Sequence, residues 1–164
     1  MRSLKSYIAW LLLFVSAVAF GQGVTLPDAE RVVLDNGTVL ILNENHDVPM
    51  IGLEAVVRGG AVADPADKHG LASLLANLLV KGANERSSSE FAESVAAVGG
   101  QLDASASLES LSVSAEFMSR DADLMVELVA DVLQRPALDA EEFEKLQDRS
   151  INLIKSARAL TPIS

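Results

Sequence analysis

Between Val32 and Glu44 two apolar, β-branched runs flank Asp35-Asn36-Gly37. Asn-Gly is the strongest short hairpin signal, because both residues tolerate a positive φ that most side chains resist, so this stretch predicts a β-hairpin. A third strand is predicted from Met50 to Arg58, entered after Pro49 and ended at Gly59-Gly60. From Pro65 the apolar period lengthens. Leu71, Leu74, Leu75, Leu78 and Leu79 recur every three or four residues, predicting a helix over about Ala66 to Val80 that Gly82 stops.

Ser87-Ser88-Ser89-Glu90 fits a capping box and opens a helix running to Val98 before Gly99-Gly100. Alternation then returns. Leu102, Ala104, Ala106 and Leu108 share one face, as do Leu111, Val113, Ala115 and Phe117, predicting a second hairpin from Gln101 to Leu108 and Ser110 to Met118. Ala122 to Leu133 and Glu141 to Leu160 read as helices separated by Pro136, with Asp139 placed to cap the second. Strands and helices come in blocks rather than alternating singly. The expected class is therefore α+β, with an antiparallel-rich sheet covered on one face by helices.

Upstream, Arg2 and Lys5 precede an apolar run from Ile8 to Phe20, broken only by Ser16, with small residues near its end. Residues 1–21 thus predict a signal peptide, with the single domain occupying 22–164 and the product exported to a periplasmic or extracellular space. The run is shorter than the ~20 residues a membrane span needs, and it lacks a cysteine for lipid attachment, so no stable membrane anchor is expected after cleavage.

The 164 residues are 49% hydrophobic, enough for one core, and contain no cysteine, so stability must come from packing rather than disulfides. Losing the two basic leader residues takes the formal net charge from −10 to −12. Such a balance disfavours nucleic acid and anionic membranes as partners.

Candidate chemistry is sparse. The only histidines, His46 and His69, fall in a polar connection and at a helix entry. A zinc hydrolase uses three protein ligands and an open position for water, which two separated histidines without cysteine supply poorly. There is no G-x-S-x-G turn, and Gly59-Gly60 and Gly99-Gly100 lack phosphate-loop spacing. Glu141, Glu142 and Glu144 read as a solvated helix face.

One ordered set of features adds to this reading: Leu34, Asn36 and Gly37 in the hairpin, a strand ending in a Gly turn, Gly70 to Leu75 with the Gly82-Ala83 stop, and Gly99-Gly100 before an alternating strand. From about Leu34 to Leu160 the chain resembles the opening domain of the insulinase, or pitrilysin, family of zinc peptidases, which includes the mitochondrial processing peptidase subunits. In active members this helix carries H-x-x-E-H, two zinc-binding histidines around a glutamate that activates water. The corresponding residues here are Ser73, Ala76 and Asn77. The third family ligand, a glutamate, would fall near Ile151 to Ile154, and no Asp or Glu follows Asp148.

The resemblance therefore implies a non-catalytic member: no catalytic residue, no metal ligand and no cofactor, although zinc serves the family. It also implies partners, either an active peptidase subunit of the same family or a second copy. Substrate in catalytic relatives adds as a strand beside the zinc helix. The matching segment makes Gln101, Leu102, Asp103, Ala104 and Ser105 candidate peptide-binding residues, with Asp103 standing where the family often has asparagine. Two alternatives stay open: a zinc metalloendopeptidase completed by another chain, and a free-standing module for extended peptides.

Overall fold

The computed structural model describes residues 28–160, so the predicted signal peptide lies outside the described residues. The chain divides into two compact units, with the boundary after His46.

The first unit contains the hairpin. Strand β1 (Glu30–Val33) pairs antiparallel with β2 (Val39–Leu42), Glu30 opposite Leu42 and Val33 opposite Val39. The turn differs from the expectation of two positive-φ residues. Gly37 alone adopts one, at 83°; its N–H donates to the Leu34 carbonyl, and the Leu34 N–H donates to the Thr38 carbonyl. Asn36 instead uses its side chain, whose Oδ1 accepts from the Thr38 N–H at 3.0 Å. A three-residue loop closed by a bulge glycine satisfies the backbone with only one residue in the left-handed region.

In the second unit, β3 (Met50–Arg58), β4 (Gln101–Ala106) and β5 (Ser110–Met118) form a three-stranded sheet in the order β3-β5-β4, both pairings antiparallel. The register puts Ile51 opposite Phe117 and aligns Leu53, Ala115 and Leu102 across the three strands. Ala55, Val113 and Ala104 make the next row, so strand alternation gathers the apolar residues on one face. Helices α1 (Leu71–Leu79), α2 (Ser88–Ala96) and α3 (Ala122–Gln134) pack against this sheet, and α4 (Ala140–Leu160) packs against α1. Leu79, Phe91, Leu102, Val113, Phe117, Met125, Leu128 and Val132 make up most of the core. Glu54, Asp103, Ser114 and Glu116 stay exposed on the opposite face. The fold is the α+β arrangement that the alternation and helix periods predict.

Several boundaries move for local reasons. The first helix begins at Leu71 rather than near Ala66, because Gly70 sits at φ 94° and the Asp64 carboxylate accepts from the Gly70 and Ala72 N–H groups at 2.7 and 2.8 Å. That carboxylate satisfies two amides that would otherwise lack partners at the helix start. The buried stripe of α1 also differs: Leu71 and Leu75 are exposed, while Ala76, Leu78 and Leu79 are buried and Ala72 is half-buried. Helix α2 ends at Ala96, two residues short of Val98. The capping box forms, with the Ser87 hydroxyl accepting from the Glu90 N–H and the Glu90 carboxylate accepting from the Ser87 N–H. Asp139 caps α4 by accepting from the Glu141 and Glu142 N–H groups.

Between α1 and α2 the chain is tied down by polar contacts. The Asn84 N–H donates to the Arg135 carbonyl at 2.7 Å, and the Ala137 N–H to the Gly82 carbonyl at 3.0 Å. Arg86 reaches Asp131 at 2.9 Å and also pairs with Glu127, while Arg135 takes the other Asp131 oxygen. Asp131 is 1% exposed, so its charge is stabilised by two guanidinium groups rather than by water. The hydrogen bond to Glu127 is the main cause of the upward shift in the Arg86 pKa, which keeps that guanidinium charged.

Candidate functional site

Helix α1 places Ser73 and Asn77 one turn apart on its exposed side, since residues at i and i+4 share a face. Asn77 Nδ2 donates to the Ser73 carbonyl at 2.7 Å, so the amide is partly engaged by its own helix. Ala76 points the other way and is 1% exposed. At the three positions that the resemblance sets against imidazole, carboxylate and imidazole, this surface offers a hydroxyl, a buried methyl and an amide.

That donor set does not fit zinc. Zinc favours imidazole, thiolate and carboxylate, whereas a neutral hydroxyl and a neutral amide are weak donors and a methyl is none. Residues 151–154, where the third ligand would fall, lie on α4, which packs against α1, and read Ile151-Asn152-Leu153-Ile154. Neither histidine repairs the set. His69 is exposed in the turn before α1, and Gly70 breaks the helical register between it and Ser73. His46 belongs to the first unit, where its Nε2 lies 3.8 Å from Glu44 on the surface. Among the described residues no three His, Asp or Glu side chains are grouped so as to hold a metal ion.

The second candidate region is β4. It packs against α1 and pairs with β5 alone, so its other edge is unpaired among the described residues. Gln101, Asp103 and Ser105 are exposed on the open face of the sheet; Leu102 is buried and Ala104 half-buried on the core face. Beside the strand lies a depression of about 270 Å³ lined in part by Val80, Lys81, Phe91, Val95, Leu102 and Asp103. An unpaired strand edge with an adjoining partly apolar depression is the arrangement that recognises an extended peptide through main-chain hydrogen bonds and one side-chain pocket.

Sequence reading missed Asp64 as the cap of α1 and the Arg86–Asp131–Arg135 cluster beneath the loop that follows it. A signal for the second exists: Asp131 interrupts the apolar stripe of Met125, Leu128, Val129 and Val132, a place where an acid needs a partner.

The profile of the insulinase family (peptidase family M16) matches residues 38–159. The chain belongs to that family. It is 25% identical over 116 residues to "Uncharacterized zinc protease YmxG" of Bacillus subtilis, covering 71% of this chain and 28% of that protein. It is 26% identical over 124 residues to "Cytochrome b-c1 complex subunit 1, mitochondrial" of Rattus norvegicus, covering 76% and 26%. "Non-peptidase homolog YmxG" of Helicobacter pylori is 27% identical over 112 residues, covering 68% and 26%. A crystal structure described as a peptidase M16 inactive domain from Pseudomonas fluorescens superposes with a TM-score of 0.70 at 18% identity, over 74% of this chain and 30% of that one. The chain spans only about a quarter of the length of these curated relatives. The M16 family thus includes relatives described as a protease and as a non-peptidase, and the chemistry at α1 bears on which kind this chain resembles.

Proposed function

We propose that this M16 domain is an exported, non-catalytic partner that associates with an active zinc peptidase of its family and contributes a binding surface for extended peptide. The observation that carries the reading is the trio Ser73, Ala76 and Asn77 on α1, joined by the lack of any carboxylate at residues 151–154. Without imidazole or carboxylate ligands no zinc ion is held to lower the pKa of a bound water, and without a base at Ala76 nothing takes that water's proton. The non-peptidase relative and the inactive-domain neighbour support the same reading. Export rests on the charge and apolar pattern of residues 1–21.

The test is metal analysis of the purified full chain after dialysis against zinc, with a digestion assay on a denatured protein. The expected result is substoichiometric zinc and no chelator-sensitive cleavage, with recovery of an H-x-x-E-H relative when the tagged chain is isolated from its own cells. One tightly held zinc per chain together with unaided cleavage would overturn it. Fractionation of those cells checks export, which a cytoplasmic product carrying an intact leader would refute.

A second reading, a free-standing peptide-binding module, is favoured by the unpaired edge of β4 and its adjoining depression. It predicts saturable peptide binding without turnover, reduced when proline replaces an edge residue of β4. Unchanged affinity in those variants would remove it.

A further inference from the structure

The turn of the β1–β2 hairpin holds a reactive pair of its own. The chain has six asparagines, and Asn36 is the one followed by glycine. An asparagine side chain can be attacked at Cγ by the backbone nitrogen of the next residue, and a glycine there has no Cβ to block the approach. Nothing lies within 4 Å of where a Cβ on Gly37 would stand, so the succinimide ring that this attack closes has room. The Thr38 N–H donates to Asn36 Oδ1 at 3.0 Å; it draws electron density from Cγ and stabilises the oxygen on which negative charge collects. Asn36 Nδ2, the leaving group, has no hydrogen bond among the described residues. One contact opposes the reaction, the bond from the Gly37 N–H to the Leu34 carbonyl at 2.9 Å. Leu34 and Gly37 are both exposed, so water replaces that bond when it opens. The helical asparagines differ: Asn77 and Asn152 lie within α1 and α4, where the next N–H belongs to the helix ladder.

We propose that Asn36 deamidates spontaneously through a succinimide, so that the hairpin turn becomes a mixture of aspartate and isoaspartate with time. Solvent base takes the Gly37 amide proton, and the nitrogen's electron pair forms a bond to Cγ of Asn36. The tetrahedral carbon then collapses, the Cγ–Nδ2 bond breaks, and Nδ2 takes up a proton and departs as ammonia. Water adds to either ring carbonyl. Breaking the new bond from nitrogen to Cγ gives aspartate, with the main chain as before. Breaking the original peptide bond instead gives isoaspartate, whose main chain runs through Cβ and Cγ. In sum, one water is consumed and one ammonia released, with no change of oxidation state. Aspartate can still accept from the Thr38 N–H. Isoaspartate lengthens the loop by one carbon, so the Leu34–Gly37 and Leu34–Thr38 bonds that close the hairpin lose their register. The inference is independent of the role proposed for α1, which a chain that never deamidates would still allow.

Peptide mapping of the folded full chain by mass spectrometry, after incubation in mildly alkaline buffer, tests it. Asn36 should convert about tenfold or more faster than any other asparagine, because only its successor lacks a Cβ. The conversion should quicken as pH rises, give isoaspartate as well as aspartate, and carry heavy oxygen from labelled water into the new carboxyl. Gly37→Ala should slow it by about tenfold or more, and the same comparison with both chains unfolded in urea separates the added Cβ from any disturbance of the turn. The isoaspartyl fraction, separated by ion exchange, should exchange the Leu34 amide proton about tenfold or more faster than the unconverted chain. A folded chain that keeps Asn36 intact while the urea-unfolded chain converts it, earlier conversion of another asparagine, equal rates for Gly37→Ala, or aspartate formed without isoaspartate would overturn the inference. Unchanged exchange at Leu34 would overturn the opening of the turn.

Discussion

Two polar loci in this M16 domain contrast sharply. Asp131 is buried, engaged by two arginines, and joined through Arg86 to the loop that follows α1. Ser73 and Asn77 lie on the exposed face of α1 itself, uncharged, with one hydrogen bond passing from the amide to the helix backbone. The first locus holds secondary-structure elements together; the second presents a neutral hydroxyl and a neutral amide on an exposed helix face. The difference teaches that charge in this domain is concentrated where it joins elements, whereas the exposed face of α1 carries only neutral groups.

The largest test of this contrast is to break the buried locus. Asp131→Ala should cost about 2–4 kcal/mol in urea unfolding, tempered because Arg86 and Arg135 can both reach solvent. Gly100→Ala comes next. A Cβ there would meet the Phe117 ring at 2.8 Å, and overpacking a core aromatic should cost about 1–3 kcal/mol, measured the same way. Ser87→Ala should cost about 1 kcal/mol at neutral pH through loss of a helix cap. Hydrogen bonds from the Ser87 hydroxyl and backbone hold Glu90 below its ordinary pKa. A carboxyl with a depressed folded-state pKa stabilises the fold above its ordinary value and stops doing so as pH falls through the lowered one. Part of the difference between wild type and Ser87→Ala should therefore fade in acid.

The smallest effect belongs to the exposed face of α1. Ser73→His with Asn77→His should change stability by less than about 0.5 kcal/mol in the absence of metal, because both positions are exposed. With zinc added, the double variant alone should gain thermal stability, since two imidazoles one turn apart bind the folded helix preferentially. An unstable metal-free double variant would show that this face is more constrained than its exposure implies.

Much of this architecture was legible in the sequence because its causes are local. The Leu102, Ala104 and Val113, Ala115, Phe117 alternations placed β4 and β5, and Ser87 with Glu90 placed the start of α2, since each signal lies within a few residues of its effect. The start of α1 was not legible, because Asp64 acts on Ala72 across eight positions and resembles any loop acid. The pairing of Arg86 with Asp131 spans 45 positions and has no local trace beyond an acid among apolar neighbours. The exposed Leu71 and Leu75 misdirected the reading of α1 because leucine dominates hydropathy, whereas small alanines at 72 and 76 allow the closer approach. At the candidate site, Ser73, Ala76 and Asn77 came from the resemblance to the family's motif, while their exposure and hydrogen bonding required the fold.

The strand order β3-β5-β4 also carries a consequence for synthesis. Arg58 pairs with Ser110, so the strand made first must wait for the one made last, with two helices and the intervening strand emerging in between. The β4–β5 ribbon can close on its own short turn as soon as it is made. The earliest strand of the sheet then zips onto a ribbon that is already closed, so its docking is governed by the entropy of the long intervening segment rather than by formation of the ribbon.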